Sequence, residues 1–413
     1  MPVIDKSIRR LIFTQCLSVA ISALADGCGY VVLTLFLLTG TAFGEETSSL
    51  LPGDPTKGGE VFFSKGCSQC HAVLGEGGLT APDLAHTPSG HLNAAQIAAA
   101  MWNHAPQMWE RIKVEHLTIP KVKEKEMADL FAFLYAIRYF DEPGNLERGK
   151  ELLEEKGCIQ CHSLKGEGGK IAPDLARWGS FANPILWAQV MWNKAPLMEE
   201  AMKDKGLSWP EFEGSEMVDL LAYIRHISAS SYEQHIFLLP ADPTAGKTLF
   251  ETKGCIKCHA VRGKGGNTAI DFGRRVDFPR TLTQLAGRMW SHSPDMWDEM
   301  RKEGIARPEF SGREMADLIV YLYAVQYVDQ PGNAKNGEKL FTDKHCAFCH
   351  SKSETNHSKI ELGKLKGNVT PVFLAFALWT HGPQMYERMQ EFNIEWPTFE
   401  GNQVSDILEY LNQ

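Results

Sequence analysis

Gly58-Gly59-Glu60-Val61-Phe62-Phe63-Ser64-Lys65-Gly66-Cys67-Ser68-Gln69-Cys70-His71 is the stretch that decides the fold. It joins a short amphipathic pattern to a C-x-x-C-H motif. The motif recurs at Cys158-Ile159-Gln160-Cys161-His162, Cys255-Ile256-Lys257-Cys258-His259 and Cys346-Ala347-Phe348-Cys349-His350. Two thiols at this spacing can add to the two vinyl groups of one haem, and the adjacent His reaches the iron. A disulfide or a zinc pair needs only C-x-x-C, and an immediate His after every second Cys favours neither. Four covalently bound haem c groups are therefore expected. Their thioether residues are Cys67, Cys70, Cys158, Cys161, Cys255, Cys258, Cys346 and Cys349. Their proximal ligands are His71, His162, His259 and His350.

Working outward, each motif has the same lead-in. A glycine stands nine residues before the first Cys, at Gly58, Gly149, Gly246 and Gly337, and an apolar pair follows it. This suits a short helix ending at the motif. Each repeat ends in a second apolar helical pattern: Glu126–Tyr139, Glu216–Ile227, Glu314–Tyr327 and Asn402–Leu411. An aromatic recurs there as Phe133, Tyr223, Tyr321 and Tyr410. Gly on one helix allows the aromatic of a crossing helix to approach closely. Between these, each repeat reads as haem loop, helix, helix, and no strand pattern competes.

The motif spacings are 91, 97 and 91 residues, and Cys67 to Cys255 and Cys158 to Cys346 are both 188. Repeats one and three open on Leu-Leu-Pro-x-Asp-Pro-Thr, and repeats two and four on Asp-x-Pro-Gly-Asn. The chain therefore reads as a two-domain unit duplicated once. The expected boundaries are 45–140, 141–232, 233–328 and 329–413, with two haems close together inside each unit. Ser228–Asp242 is the longer junction between units.

This combination resembles class I cytochrome c, over nearly all of the chain beyond residue 44. The resemblance implies an all-α fold of four tandem helical domains that carry electrons and are not themselves an enzyme. It also implies a Pro carbonyl on the second nitrogen of the proximal His, matched by Ala81-Pro82-Asp83-Leu84 and Ala172-Pro173-Asp174-Leu175. Repeat three has Ala269-Ile270-Asp271, and repeat four has no clear equivalent. The family's distal Met lies beside a Pro before the last helix. Here that place reads Ile119-Pro120, Trp209-Pro210, Arg307-Pro308 and Trp396-Pro397, without a Met.

Another segment supplies sulfur, beginning Met101-Trp102-Asn103-His104-Ala105-Pro106-Gln107-Met108. Among its columns only Met108, Met198, Met296 and Met385 is a complete sulfur column, 35–37 residues after the proximal His. Pro106, Pro196, Pro294 and Pro383 are expected to break the helix and open a new first turn that holds this Met. The column is the expected distal ligand set. Met as pocket filler, and His104, His292 and His381 with Lys194 in repeat two, are the competing readings. Trp102, Trp192, Trp290 and Trp379 form a complete column expected to pack the haem edge.

Lys6, Arg9 and Arg10 precede an apolar run, and Ala42-Phe43-Gly44 resembles a cleavage site, so residues 1–44 read as a signal peptide. A retained anchor through residues 11–44, tethering the protein to a membrane, is the alternative. Both place the protein in the periplasm or otherwise outside the cytoplasm. Cys16 and Cys28 fall in this segment, so every later Cys is committed to a motif. The net charge of −9 and the absence of a dense basic patch exclude nucleic acid and favour loosely held redox-protein partners. A haem enzyme with one open iron position, sought first in repeat four, and a cytochrome subunit of a larger oxidoreductase are the alternative functions.

Overall fold

The computed structural model describes residues 53–85, 92–178, 183–228, 241–274, 278–329, 331–350, 362, 367 and 369–413. Residues 1–44, expected to be a signal peptide or anchor, with Cys16 and Cys28, and most of the Ser228–Asp242 junction lie outside the described residues. Among the described residues no helix is long and apolar enough to cross a membrane.

In repeat one, helix α1 (Pro55–Ser64) leads to the motif, α2 (Ala94–Val114) follows the haem loop, and α3 (Glu124–Ala136) ends the core. Repeat two has α4 (Leu146–Glu155), α5 (Pro184–Asp204) and α6 (Glu216–Ile227). Repeat three has α7 (Pro243–Thr252), α8 (Leu282–Ser291), α9 (Ser293–Lys302) and α10 (Gly312–Tyr327). Repeat four has α11 (Ala334–Asp343), a short α12 (Cys346–His350), α13 (Pro371–Glu391) and α14 (Gln403–Leu411).

First and last helices cross with their backbones in contact. A Cβ added at Gly58, Gly149, Gly246 or Gly337 would lie 1.9–2.0 Å from the carbonyl oxygen of Asp129, Asp219, Asp317 or Asp406. It would also meet the Cβ of Phe133, Tyr223, Tyr321 or Tyr410, as the sequence pattern requires. The same four Asp carboxylates accept the backbone N–H of Asp54, Asn145, Asp242 and Asn333, at 2.7–2.8 Å. Those residues are the N-caps of α1, α4, α7 and α11. Each such charge-assisted bond contributes about 1.5–3 kcal/mol. The lead-in motifs thus place an N-cap that the last helix grips.

The repeats do not pair as their order in the chain implies. Helix α2 of repeat one packs on α13 of repeat four, and α5 of repeat two packs on α8 of repeat three. The Trp column, expected at the haem edge, makes these contacts. Trp102 donates its indole N–H to the Pro397 carbonyl at 2.7 Å, and Trp379 returns the bond to Pro120 at 2.8 Å. Trp192 donates to Pro308 at 2.8 Å, and Trp290 to Pro210 at 2.7 Å. The place where the family keeps its distal Met has become the acceptor side of an interface between repeats.

The prolines do not all break their helices. Helix α2 runs through Pro106, α5 through Pro196 and α13 through Pro383, against the expected break; repeat three alone divides, at His292. Pro106 cannot bond the Trp102 carbonyl one turn earlier, and the Trp396 indole of repeat four donates to that oxygen at 2.9 Å. In repeat three Trp209 donates to the Trp290 carbonyl at 3.1 Å, and there the helix divides all the same. Trp396 stacks on Trp102 with centroids 4.9 Å apart, and Trp209 on Trp290 at 4.0 Å.

The 188-residue duplication is nevertheless a structural symmetry. Each of these indole bonds between repeats one and four has a counterpart between three and two. Repeats one and three meet directly, where Tyr135 donates its hydroxyl hydrogen to the Tyr323 carbonyl, 188 residues on. Tyr135, Tyr139, Tyr323 and Tyr327 form one buried cluster there. The first Asp of each Asp-x-Pro-Gly-Asn junction also reaches across: Asp329 accepts the Ala95 N–H at 2.8 Å, and Asp141 accepts from the Thr283 hydroxyl. Both bonds fall in the first turn of a helix in another repeat, where a carboxylate is favoured.

Candidate haem-binding sites

Each described haem loop is built from the backbone upward. In repeats one to three a left-handed glycine, Gly66, Gly157 or Gly254, stops the first helix and starts a 3-10 turn carrying the first Cys. Repeat four uses His345 at φ 62°, and its motif Cys346–His350 is a turn of α-helix. The eight motif thiols are not paired in disulfides. Burial pushes the thiols of Cys67, Cys158, Cys255 and Cys346 up to about 11. Among the described residues, no three His, Cys, Asp or Glu side chains converge as a metal site.

The proximal imidazoles are fixed from behind. His71 Nδ1 lies 2.9 Å from the Pro82 carbonyl, and His162 Nδ1 lies 2.8 Å from Pro173. Repeat three lacks the Pro, yet His259 Nδ1 lies 3.2 Å from the Ile270 carbonyl, eleven residues on as in the others. With Nδ1–H donating to these oxygens, Nε2 is left to an iron, and the ring cannot rotate. Burial holds His162 and His259 below the usual histidine range, which keeps them neutral as a ligand must be.

One set of residues escaped the sequence reading. Asp83 accepts the N–H groups of Leu74, Gly75 and Ala85. Asp174 accepts those of Lys165, Gly166 and Ala176, and Asp271 those of Arg262, Gly263 and Gly273. These bonds clamp a two-residue hairpin turn in which both central residues have positive φ, Leu74 at 53° and Gly75 at 82° in repeat one. The hairpins pair Ala72–Val73 with Glu76–Gly77, Ser163–Leu164 with Glu167–Gly168, and Ala260–Val261 with Lys264–Gly265. They are a small β element that the sequence reading did not foresee. The signal was present: Asp83, Asp174 and Asp271 each follow the residue whose carbonyl accepts from the proximal His. The corresponding loop of repeat four lies outside the described residues.

On the distal side, Met108, Met198, Met296 and Met385 are all half-buried and pack against the core. Each stands four residues after the His/Lys column, and so on the same helical face where the helix is continuous. That column is not uniform. The His104 ring centre is 6.4 Å from that of His71, and His381 is 6.4 Å from His350. Lys194 and His292 are exposed. His292 lines a cavity with Glu211, Phe212, Met217 and Arg288, which contains neither Cys255, Cys258 nor His259.

A helical unit whose glycine-crossed terminal helices carry a C-x-x-C-H loop with a carbonyl-anchored His is a c-type cytochrome domain. The cytochrome c family profile matches residues 55–137, 146–228 and 243–326, and the chain belongs to the cytochrome c family, with several such domains in tandem. The fourth repeat lies outside that match and keeps the same helix arrangement. Curated relatives include the C subunit of nitric oxide reductase from Halomonas halodenitrificans, 30% identical over 95 residues, covering 21% of this chain and 63% of that protein. Another is its counterpart in the nitric oxide reductase of Cereibacter sphaeroides, 38% identical over 47 residues, covering 10% of this chain and 32% of that one. The chain thus spans less than two thirds of either relative. No solved structure matches.

Proposed function

We propose that this chain is a tetrahaem c-type cytochrome that passes electrons between redox proteins outside the cytoplasm. The observation that carries this is the repeated haem loop: the same thiol pair and, in the three loops described, a proximal His anchored to a carbonyl eleven residues on. Cys67 and Cys70, Cys158 and Cys161, Cys255 and Cys258, and Cys346 and Cys349 hold the four haems. His71, His162, His259 and His350 bind on the proximal side. The bound haem supplies a one-electron couple at its iron.

The motif thiols would hold the ring covalently and the carbonyl-anchored imidazoles would fix the proximal ligands, so little rearrangement would accompany each electron. Met198 and Met296 are the distal ligands where no imidazole faces the proximal one. Met raises the potential relative to other axial partners. The net charge of −9 selects weakly held basic partners. Export follows from residues 1–44, either as a cleaved signal or as a membrane tether. The relatives, each a subunit of nitric oxide reductase, favour a second reading in which the chain is the cytochrome subunit of a larger oxidoreductase.

Carbon monoxide added to the reduced, haem-loaded protein tests the carrier reading. Filled axial positions predict no rapid binding. Stoichiometric binding at one haem would identify an open site and favour an enzyme.

A further inference from the structure

We propose that the four haems are of two ligand types sorted by spatial pair. Repeats one and four carry bis-histidine haems, His71 with His104 and His350 with His381, and repeats two and three carry histidine–methionine haems. This rests on the four-haem reading above and departs from Met108 and Met385 as ligands.

The geometry comes first. A metal–imidazole bond of about 2 Å on each side, plus about 1 Å from each nitrogen to its ring centre, separates the ring centres by about 6 Å. The two observed separations are 6.4 Å, with ring planes at 73° and 68°. A haem bonded to His71 leaves a ring at that separation too little depth to stack on the haem face, and enough to bond its iron. His104 is also oriented as an axial imidazole should be. Its Nδ1 pairs with the Ala100 carbonyl one turn back, which leaves Nε2 directed away from its own helix. The His104 ring is half-buried, and it stands two residues on from Trp102, away from the interface that Trp102 makes.

Repeats two and three offer no such pair. Lys194 replaces the imidazole and is exposed. His292 also bonds a carbonyl one turn back, that of Arg288 at 3.1 Å, but it sits where the helix has divided and opens onto a cavity without the motif residues. Among the described residues, His259 has the Phe272 ring at 4.7 Å and His162 the Trp178 ring at 6.4 Å. Met198 and Met296 are then the ligands at hand.

The sorting has a logic that the sequence duplication lacks. Duplication makes repeat one the sister of three, yet the facing His is shared by one and four, which are packed together through Trp102, Trp379, Trp396 and Pro397. Ligand type follows contact in space. Since Met raises haem potential, the two haems of the two–three pair accept electrons before those of the one–four pair. In the relay, a ferrous haem of the one–four pair is oxidised as a ferric haem of the two–three pair is reduced, one electron at a time.

The test is the near-infrared magnetic circular dichroism of the oxidised, haem-loaded full chain, where bis-histidine and histidine–methionine iron give distinct charge-transfer bands. Two equivalents of each are expected, with the methionine pair reduced first on titration. Met108→Leu should leave the bands unchanged, whereas Met198→Leu should remove one methionine equivalent. Four methionine equivalents, or loss of one in Met108→Leu, would overturn the proposal. The wild-type spectrum decides even if a variant fails to fold. A haem count below four would instead sink the four-haem reading, and a count of four with four methionine signals would sink this inference alone.

Discussion

Replacing Trp102 by Phe removes one indole N–H and keeps a ring in place. That N–H donates to the Pro397 carbonyl at 2.7 Å, with Trp102 8% exposed and Pro397 half-buried. Leaving a half-buried acceptor without this partner costs about 1–3 kcal/mol, less where water reaches it. The smaller ring also weakens the stack on Trp396, at 4.9 Å and 25°, a contact that contributes about 0.5–1.5 kcal/mol. Together these give roughly 2–4 kcal/mol. The acceptor and the stacking partner both belong to repeat four, so the loss is shared across the interface. Hydrogen exchange resolved to peptides measures it. Amides of α2, α13 and α14 should exchange roughly 30-fold faster or more through local opening, while those of α5 and α8 keep their protection. A Trp that only packs the haem edge would loosen repeat one alone. Acceleration confined to residues 92–136, or smaller than about threefold, would refute the interface argument.

Adjacent glycines give a sharp contrast. Gly58→Ala puts a Cβ 1.9 Å from the Asp129 carbonyl oxygen, whereas at Gly59 it meets only the Phe133 ring at 3.3 Å. Melting of the holo-protein should show Gly58→Ala losing about 1–3 kcal/mol or more, and Gly59→Ala far less. Burial pushes the Asp329 carboxyl up to about 6, against the opposing pull of the Ala95 amide and Arg262. Because the folded value is raised, its contribution is complete below the unfolded value of about 4 and is lost as pH rises through about 6, by at most about 3 kcal/mol. Asp329→Asn should flatten that part of the stability–pH curve. Asp271→Ala frees three N–H groups at 2.7–2.9 Å and loosens the loop behind His259. Haem content at Cys255 and Cys258 should fall while the other sites stay loaded, as peptide mapping would show.

The parts of this structure that were legible in the sequence are those set by local spacing. Gly58 and Phe133 announce a backbone crossing because only glycine tolerates it, and the C-x-x-C-H loops announce themselves. The duplication was legible from residue numbers, and the structure bears it out as a symmetry of contacts such as Tyr135 with Tyr323. The pairing in space was not legible, because neighbours in sequence are usually neighbours in space, and here repeat one packs on repeat four. The complete Trp and Pro columns carried that information in disguise. Haem packing and a shared interface both demand a complete column, and only the folded chain shows Trp102 meeting Pro397. Pro106 misled because a proline removes one helix bond without always ending the helix, and the carbonyl it orphans, that of Trp102, finds its donor in Trp396, 294 residues away.

The claim on which the rest depends is that every motif carries a haem, including the one outside the family match. The direct measurement is the intact mass of the denatured, haem-loaded protein, with haem-bearing peptides mapped after proteolysis. Four haem masses retained through denaturation, with one on the peptide containing Cys346 and Cys349, is the expected result. Fewer than four, with Cys346 and Cys349 free to be alkylated, would contradict it.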